Sequence, residues 1–268
     1  MLNKIEKEVL SKYKEVFGKT EYPDWSWELP PSIPMVGNAY KDADCKCLVY
    51  GSVENLSYLN NNNQQALKDW KSRGEKPFYR HRYCFEGDQK SFFPDVHLQP
   101  ISDGSLLLAA RYILSLLKHD SFSSIPCEFL NEIAIGNFGK FAIKGPNNQD
   151  YASNKGFLLK SIEYIKADVE TLQPDIIILP RTIYSRLKNN LRQMIKKTTL
   201  FYGIYQTQPR AISGVISRQL SPSMDNEIIS TEYLDAWLAN ISRKGLNMTK
   251  YLQWLTLQHE TLCEELVK

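Results

Sequence analysis

A chain of 268 residues can bury one large core, and 43% hydrophobic with 24% charged residues excludes a disordered or fibrous protein. The formal net charge of +3 is too small to name a partner by itself. No apolar run approaches the ~20 residues that cross a bilayer, so no membrane partner is expected.

The opening residues, Met1-Leu2-Asn3-Lys4-Ile5-Glu6-Lys7-Glu8, lack the apolar centre of a secretion signal, and a cytoplasmic setting is expected. Leu2 to Phe17 has helical spacing, with Ile5, Val9, Leu10 and Tyr13 on one side and Gly18 as the stop. The Pro- and Trp-rich run from Tyr22 to Pro31 should be extended and wrap over the domain, with Trp25 and Trp27 as anchors.

Lys46-Cys47-Leu48-Val49-Tyr50 is the first core strand. It breaks at Gly51-Ser52-Val53-Glu54-Asn55, and a helix is expected from about Ser57 to Lys71. From Gly74 to Pro100 there is little periodicity, and connections of that length tend to be functional. This segment holds Arg80-His81-Arg82 and Phe92-Phe93-Pro94-Asp95. Asp103 can cap a buried helix from Gly104 to Lys118.

Glu132-Ile133-Ala134-Ile135-Gly136-Asn137-Phe138-Gly139-Lys140-Phe141 reads as a short buried strand that stops in a glycine-flanked turn, presenting Asn137 and Lys140. An Asn amide donates and accepts, so it can read the edge of a planar heterocycle. It is also a common turn residue in its own right. A helix from about Asn154 to Thr171 follows, with Leu158, Ile162, Ile165 and Val169 on one face, and Gln173-Pro174 stops it. Asp175-Ile176-Ile177-Ile178-Leu179 is the clearest central strand. A basic helix Arg181–Lys197, a strand Thr199–Tyr205, a polar loop Gln206–Gly214 and closing helices at about Ser230–Arg243 and Met248–Val267 complete the chain.

This alternation predicts an α/β fold, a three-layer α/β/α sandwich around a mainly parallel four-stranded sheet, as one domain over 1–268. Its core spans about 44–215, the N-terminal helix and wrap 1–43, and the C-terminal helices 225–268.

The five cysteines (Cys45, Cys47, Cys84, Cys127, Cys263) and four histidines (His81, His97, His119, His259) show no zinc or iron–sulfur spacing. Free thiols are expected, and neither a metal nor another cofactor. Charge is unevenly spread. Arg181, Arg186, Lys188, Arg192, Lys196 and Lys197 follow one another with no acid between them, and Lys76 to Tyr83 interleaves bases with aromatics. Such mixtures suit phosphates and stacked bases, though a solvated helix face has the same composition.

Parallel strands joined by helices bring their carboxyl ends to one edge, where ligands bind in open α/β sheets. Ser52-Glu54-Asn55, the Phe92–Asp95 loop, Asn137-Lys140 and Gln206–Arg210 should meet there. They offer a ring to stack, an amide to read a base, a carboxylate and cations, the inventory of an enzyme acting on a flipped-out base.

The order of these motifs resembles the uracil-DNA glycosylase superfamily. Gly51–Asn55 is similar to that family's water-activating turn. Phe92 or Phe93, followed by Gly104-Ser105-Leu106, resembles its Phe loop and helix, and Ile133–Lys140 its base-reading Asn motif. Leu172-Gln173-Pro174-Asp175 through Leu179 resembles its Pro-led strand, and Gln208-Pro209-Arg210 takes the place of its His-Pro-Ser loop. The likeness covers roughly Lys46 to Gly214 and rests on order and spacing. It implies hydrolysis of an N-glycosidic bond in DNA by a monomer, with Glu54 and Asn55 as the catalytic turn. Glu54 would position water or stabilise a cation-like sugar, Asn137 would read the base, and Phe93 or Phe92 would stack on it. Gln208 and Arg210 would hold phosphate or fill the gap, and Arg80, Arg82, Lys140 and Arg181 would contact double- or single-stranded DNA. Ser52 and Val53 stand where the family keeps its acid or amide, no Pro follows, and Gln208 replaces the His. These departures point to a modified base, such as a bulky pyrimidine in phage DNA, and to an anti-phage setting.

Glu54 also complements a helix N-terminus without any catalysis, a contribution of ~0.3–1 kcal/mol. A non-catalytic DNA-binding protein with this fold and a nucleotide- or sugar-phosphate-binding α/β enzyme remain alternatives. The absence of a Gly-x-Gly-x-x-Gly or phosphate-loop Lys motif counts against the latter. The absence of a nucleophile elbow counts against a serine or cysteine hydrolase.

Overall fold

A computed structural model of the protein describes residues 2–17, 19, 31–53, 79–80, 104–118, 131–140, 155–194, 199–204 and 252–260. The first helix, α1 (Lys4–Phe17), turns Val9 and Tyr13 inward as its spacing predicts. Its start is a capping box. The Glu6 N–H donates to Asn3 Oδ1 (2.9 Å), and the Asn3 N–H donates to Glu6 Oε2 (2.8 Å). The same two side chains clip a distant backbone. Asn3 Nδ2 donates to the Val36 carbonyl at 2.7 Å, and Glu6 Oε1 accepts the Val36 N–H at 3.1 Å.

Two short strands, β1 (Ser32–Ile33) and β2 (Met35–Val36), precede a 3-10 turn at Tyr40–Asp42. Then come β3 (Cys47–Val53), β4 (Tyr79–Arg80), α2 (Gly104–Lys118) and β5 (Ile133–Gly139). They are followed by α3 (Lys155–Lys160), α4 (Ile162–Leu172), β6 (Ile176–Pro180), α5 (Arg181–Met194) and β7 (Leu200–Ile204). Residues 252–260 are also helical. The expected wrap at 22–31, the helices at about 57–71 and 230–243, and the Phe92–Asp95 loop lie outside the described residues.

The main sheet has the order β2-β5-β3-β6-β7. Its four longer strands are parallel, and β2 runs antiparallel to β5. The sheet therefore has five strands where four were expected. Met35–Val36 escapes a periodicity search because two residues between Pro34 and Gly37 carry no period. A separate parallel pair joins β1 to β4, with Ile33 opposite Arg80.

Strand alternation sorts the core. Leu48, Tyr50, Ala134, Phe138, Ile177, Leu179 and Phe201 share one cluster with Val9 and Tyr13 of α1, Leu158 of α3, Tyr164 and Ile165 of α4, and Ile183, Leu187 and Leu191 of α5. On the opposite face, the Tyr202 hydroxyl hydrogen-bonds His259 Nδ1 at 2.7 Å. Tyr112 of α2 hydrogen-bonds Thr256 of the same helical segment at 2.8 Å.

Two further expectations are corrected. The helix anticipated over 154–171 is divided at Ser161, whose N–H reaches back only three residues to the Leu158 carbonyl (3.1 Å). β5 does not stop at Gly136 but runs to Gly139, buried throughout. Gly136 serves close packing: a Cβ there would lie 3.2 Å from Pro34 Cβ and 3.5 Å from the Tyr50 ring. Among the described residues no helix is long and apolar enough to cross a membrane.

Gln173 caps α4 in the left-handed region (φ 46°, ψ 56°), its N–H bonded to the Val169 carbonyl. The side chain is exposed. Gln173→Gly is expected to raise unfolding stability by about 0.5–1 kcal/mol, read from urea denaturation, because glycine enters this conformation without steric cost.

Candidate functional site

The carboxyl edge of the sheet is assembled by register. Gly51 of β3 lies opposite Asn137 of β5, and Val53 lies opposite Gly139. Glu54 follows Val53 directly in sequence, but Glu54 and Asn55 lie outside the described residues. So do Phe92, Phe93, Arg82, Gln208 and Arg210. Arg80 is in β4, and Arg181 is the first residue of α5, half-buried, immediately after Pro180.

Asn137 is a buried strand residue, not a turn residue. It is 6% exposed. Its carboxamide lies over the bare backbone of Gly51: a Cβ built on Gly51 would come within 2.5 Å of Asn137 Oδ1. Glycine is needed here because the Asn side chain occupies the space that a neighbouring side chain would take. The pair lies near the carboxyl end of both strands, beside the point where strand order reverses between β3 and β6.

Lys140 is corrected. It was expected to reach DNA beside Asn137, yet it is 1% exposed. The cause is the longer strand. With the chain extended through Gly139, residues three apart face opposite sides. Lys140 thus follows Phe138 toward α1 and α4, while Asn137 faces the other way. Its Nζ lies 2.7 Å from Asp168 Oδ2 of α4, both side chains fully buried. Asp168 also accepts from the Tyr50 hydroxyl on Oδ2 (2.7 Å) and the Tyr13 hydroxyl on Oδ1 (2.8 Å). The ammonium lies 5.1 Å from the Tyr50 ring centre and 5.4 Å from that of Tyr13, within range of cation–π attraction. The Lys140 backbone N–H donates to Ser161 Oγ at 3.0 Å.

Burial lowers the Lys140 ammonium's pKa, and the Asp168 charge and hydrogen bond oppose that shift. Burial, and then the Asp168 charge, raises both phenols well above their ordinary range. Sequence reasoning missed this group. Its signal was present: Asp168 falls three residues after Ile165, on the apolar face of its helix.

Among the described residues no group of His, Cys, Asp and Glu could hold a metal ion. Cys47 is buried, and burial raises its thiol pKa well above the ordinary value, so it is no ready nucleophile. No protein-family model, curated protein or solved structure matches the chain.

Asp168→Ala should cost about 3–5 kcal/mol in urea denaturation, because it leaves a buried ammonium without its anion. Replacing the group together (Lys140→Met, Asp168→Leu, Tyr13→Phe, Tyr50→Phe) should recover most of that loss. Alkaline stability follows from the phenols. Above pH 10.0, their ordinary value, unfolded phenols lose protons that the folded ones keep. Each then removes about 1.4 kcal/mol of stability per pH unit. Lys140 has the opposite sign, but only between its lowered folded value and its ordinary 10.5. Unfolding free energy should therefore fall steeply above pH 10.5, with phenolate absorbance appearing together with loss of the fold.

Proposed function

We propose that the chain is a DNA glycosylase, a hydrolase that removes a flipped-out, modified base at the carboxyl edge of β3 and β5. The observation that carries this reading is the Asn137–Gly51 pair: a buried carboxamide held over bare backbone where parallel strands end. The four parallel strands stand in the order second, first, third, fourth along the chain. That order puts a topological switch beside the pair, the usual seat of a ligand in an open α/β sheet. Helices on both faces would make the whole a three-layer α/β/α sandwich.

Asn137 reads the hydrogen-bonding edge of the base, and its burial makes each mismatch costly. Phe92 or Phe93 stacks on the base. Glu54, directly after the last residue of β3, stabilises the cation-like sugar and takes a proton from water as its oxygen bonds to C1′. The C1′–N bond breaks, and its electron pair leaves with the base. Gln208 can donate a hydrogen bond to that leaving anion but cannot protonate it. A substrate whose base departs more readily than uracil fits this limit, and modified phage DNA met in the cytoplasm is the setting expected.

The test incubates the protein with single- and double-stranded DNA carrying uracil or bulky modified pyrimidines, and with modified phage DNA, and counts abasic sites. Release of at least one modified base is expected. Glu54→Gln should slow it ~10²–10³-fold, the scale of losing one transition-state contact. Asn137→Ala, which removes the carboxamide, and Gly51→Ala, whose Cβ pushes it aside, should each slow it at least ~tenfold while the fold, followed by circular dichroism, stays intact. Absence of abasic sites on every substrate, with Glu54→Gln indistinguishable from the parent, would sink the proposal. Tight DNA binding in that case would favour a non-catalytic reader.

A further inference from the structure

The helix that leaves the candidate site carries a polar face with a sign. In α5, Ile183, Leu187 and Leu191 are buried in the core, and the helix contains no acid. Thr182, Ser185, Arg186, Lys188, Asn189, Arg192 and Gln193 are exposed, and Arg181 is half-buried. At 100° per residue, Arg181, Lys188 and Arg192 fall within roughly 40° of one another and form one stripe along a helix of about 21 Å. Arg186 stands on the far border of the exposed arc. Between the stripe and Arg186 lie Ser185, Asn189, Thr182 and Gln193.

From this arrangement we infer that α5 is a binding surface for the sugar-phosphate backbone of duplex DNA. The inference deepens the proposed activity and rests on it for the identity of the polyanion. Charge complementarity carries it. Arg and Lys neutralise phosphates, while Ser, Thr, Asn and Gln donate to the remaining phosphate oxygens, so every exposed residue type of this face belongs to the backbone-contacting set. A lipid surface is the poorer occupant. An interfacial helix needs its apolar side for the membrane, and here that side is committed to the core. Among the described residues the exposed large hydrophobic is Leu159, which is not on α5. A protein partner would want an aromatic or aliphatic anchor; the exposed residues of the face include none, and half-buried Tyr184 at its border is stacked on Phe201. Position agrees with the role. Arg181 follows Pro180 at the carboxyl edge, and the stripe runs from there down the side of the sheet.

The experiment measures binding of the full chain to a fluorescent, undamaged duplex over a range of salt concentrations. Using undamaged DNA separates binding from base release, so the two proposals can fail independently. The triple variant Arg186→Gln, Lys188→Gln, Arg192→Gln should bind at least ~tenfold more weakly at low salt. Its dependence of log K on log salt should be shallower by about 2–3, near one unit per lost phosphate contact. A control with the same charge change on α1, Lys4→Gln, Lys7→Gln, Lys14→Gln, should bind like the parent, since those exposed cations alternate with acids. Equal weakening by both variants would overturn the inference, because it would reflect net charge alone. So would an absence of duplex binding, or binding to vesicles rich in anionic phospholipid in preference to the duplex.

Discussion

One buried charge pair binds the sheet to its helices. Lys140 and Asp168 meet at 2.7 Å with no solvent contact, and two tyrosine hydroxyls complete the carboxylate's shell. Four segments contribute: α1 through Tyr13, β3 through Tyr50, the end of β5 through Lys140 and α4 through Asp168. Removing two charges from water costs several kcal/mol each, so such a group adds little net stability. Its value lies in specificity. An apolar core accepts several packings, whereas a carboxylate needing three donors at fixed angles accepts few. The group thus fixes how far β5 extends beside β3, and the Gly51–Asn137 register depends on that.

That register links packing to chemistry. Consecutive side chains of β5 alternate between faces, so one strand supplies Lys140 to the structural network and Asn137 to the candidate site on the opposite face. Tyr50 and Gly51 divide in the same way on β3. The two strand ends are braced by Asp168 from one side, and on the other Asn137 packs over Gly51. An amide mounted on strands is held more closely than one mounted on a loop.

Elements with a strong period were legible in the sequence. The spacing of Ile5, Val9 and Tyr13 gave α1, the apolar run of α2 gave its bounds, and Ile176 to Leu179 announced a buried parallel strand. What failed was the meaning of single residues. Gly136 and Gly139 read as turn formers, although a glycine in a sheet can equally mark close approach, and only the position of Pro34 decides between them. Lys140 read as a surface cation because its anion lies 28 residues away on another element. The Asn3-x-x-Glu6 capping box was visible in principle, but its second use, gripping Val36, requires the folded chain.

That grip bears on how the sheet is finished. Met35 and Val36 cover the outer rim of β5, which is apolar at Ile133 and Ile135 and would otherwise offer unpaired amides to any passing extended chain. A cover of two residues has almost no cohesion of its own. The Gly37 and Ala39 N–H groups tie the next residues to the Ile133 and Asn131 carbonyls (2.9 and 2.8 Å), and Asn3 and Glu6 fasten Val36 by both its amide and its carbonyl. The opening turn of the first helix therefore acts as a latch against self-association, and clipping the chain within its first six residues would bare a sticky seam along β5.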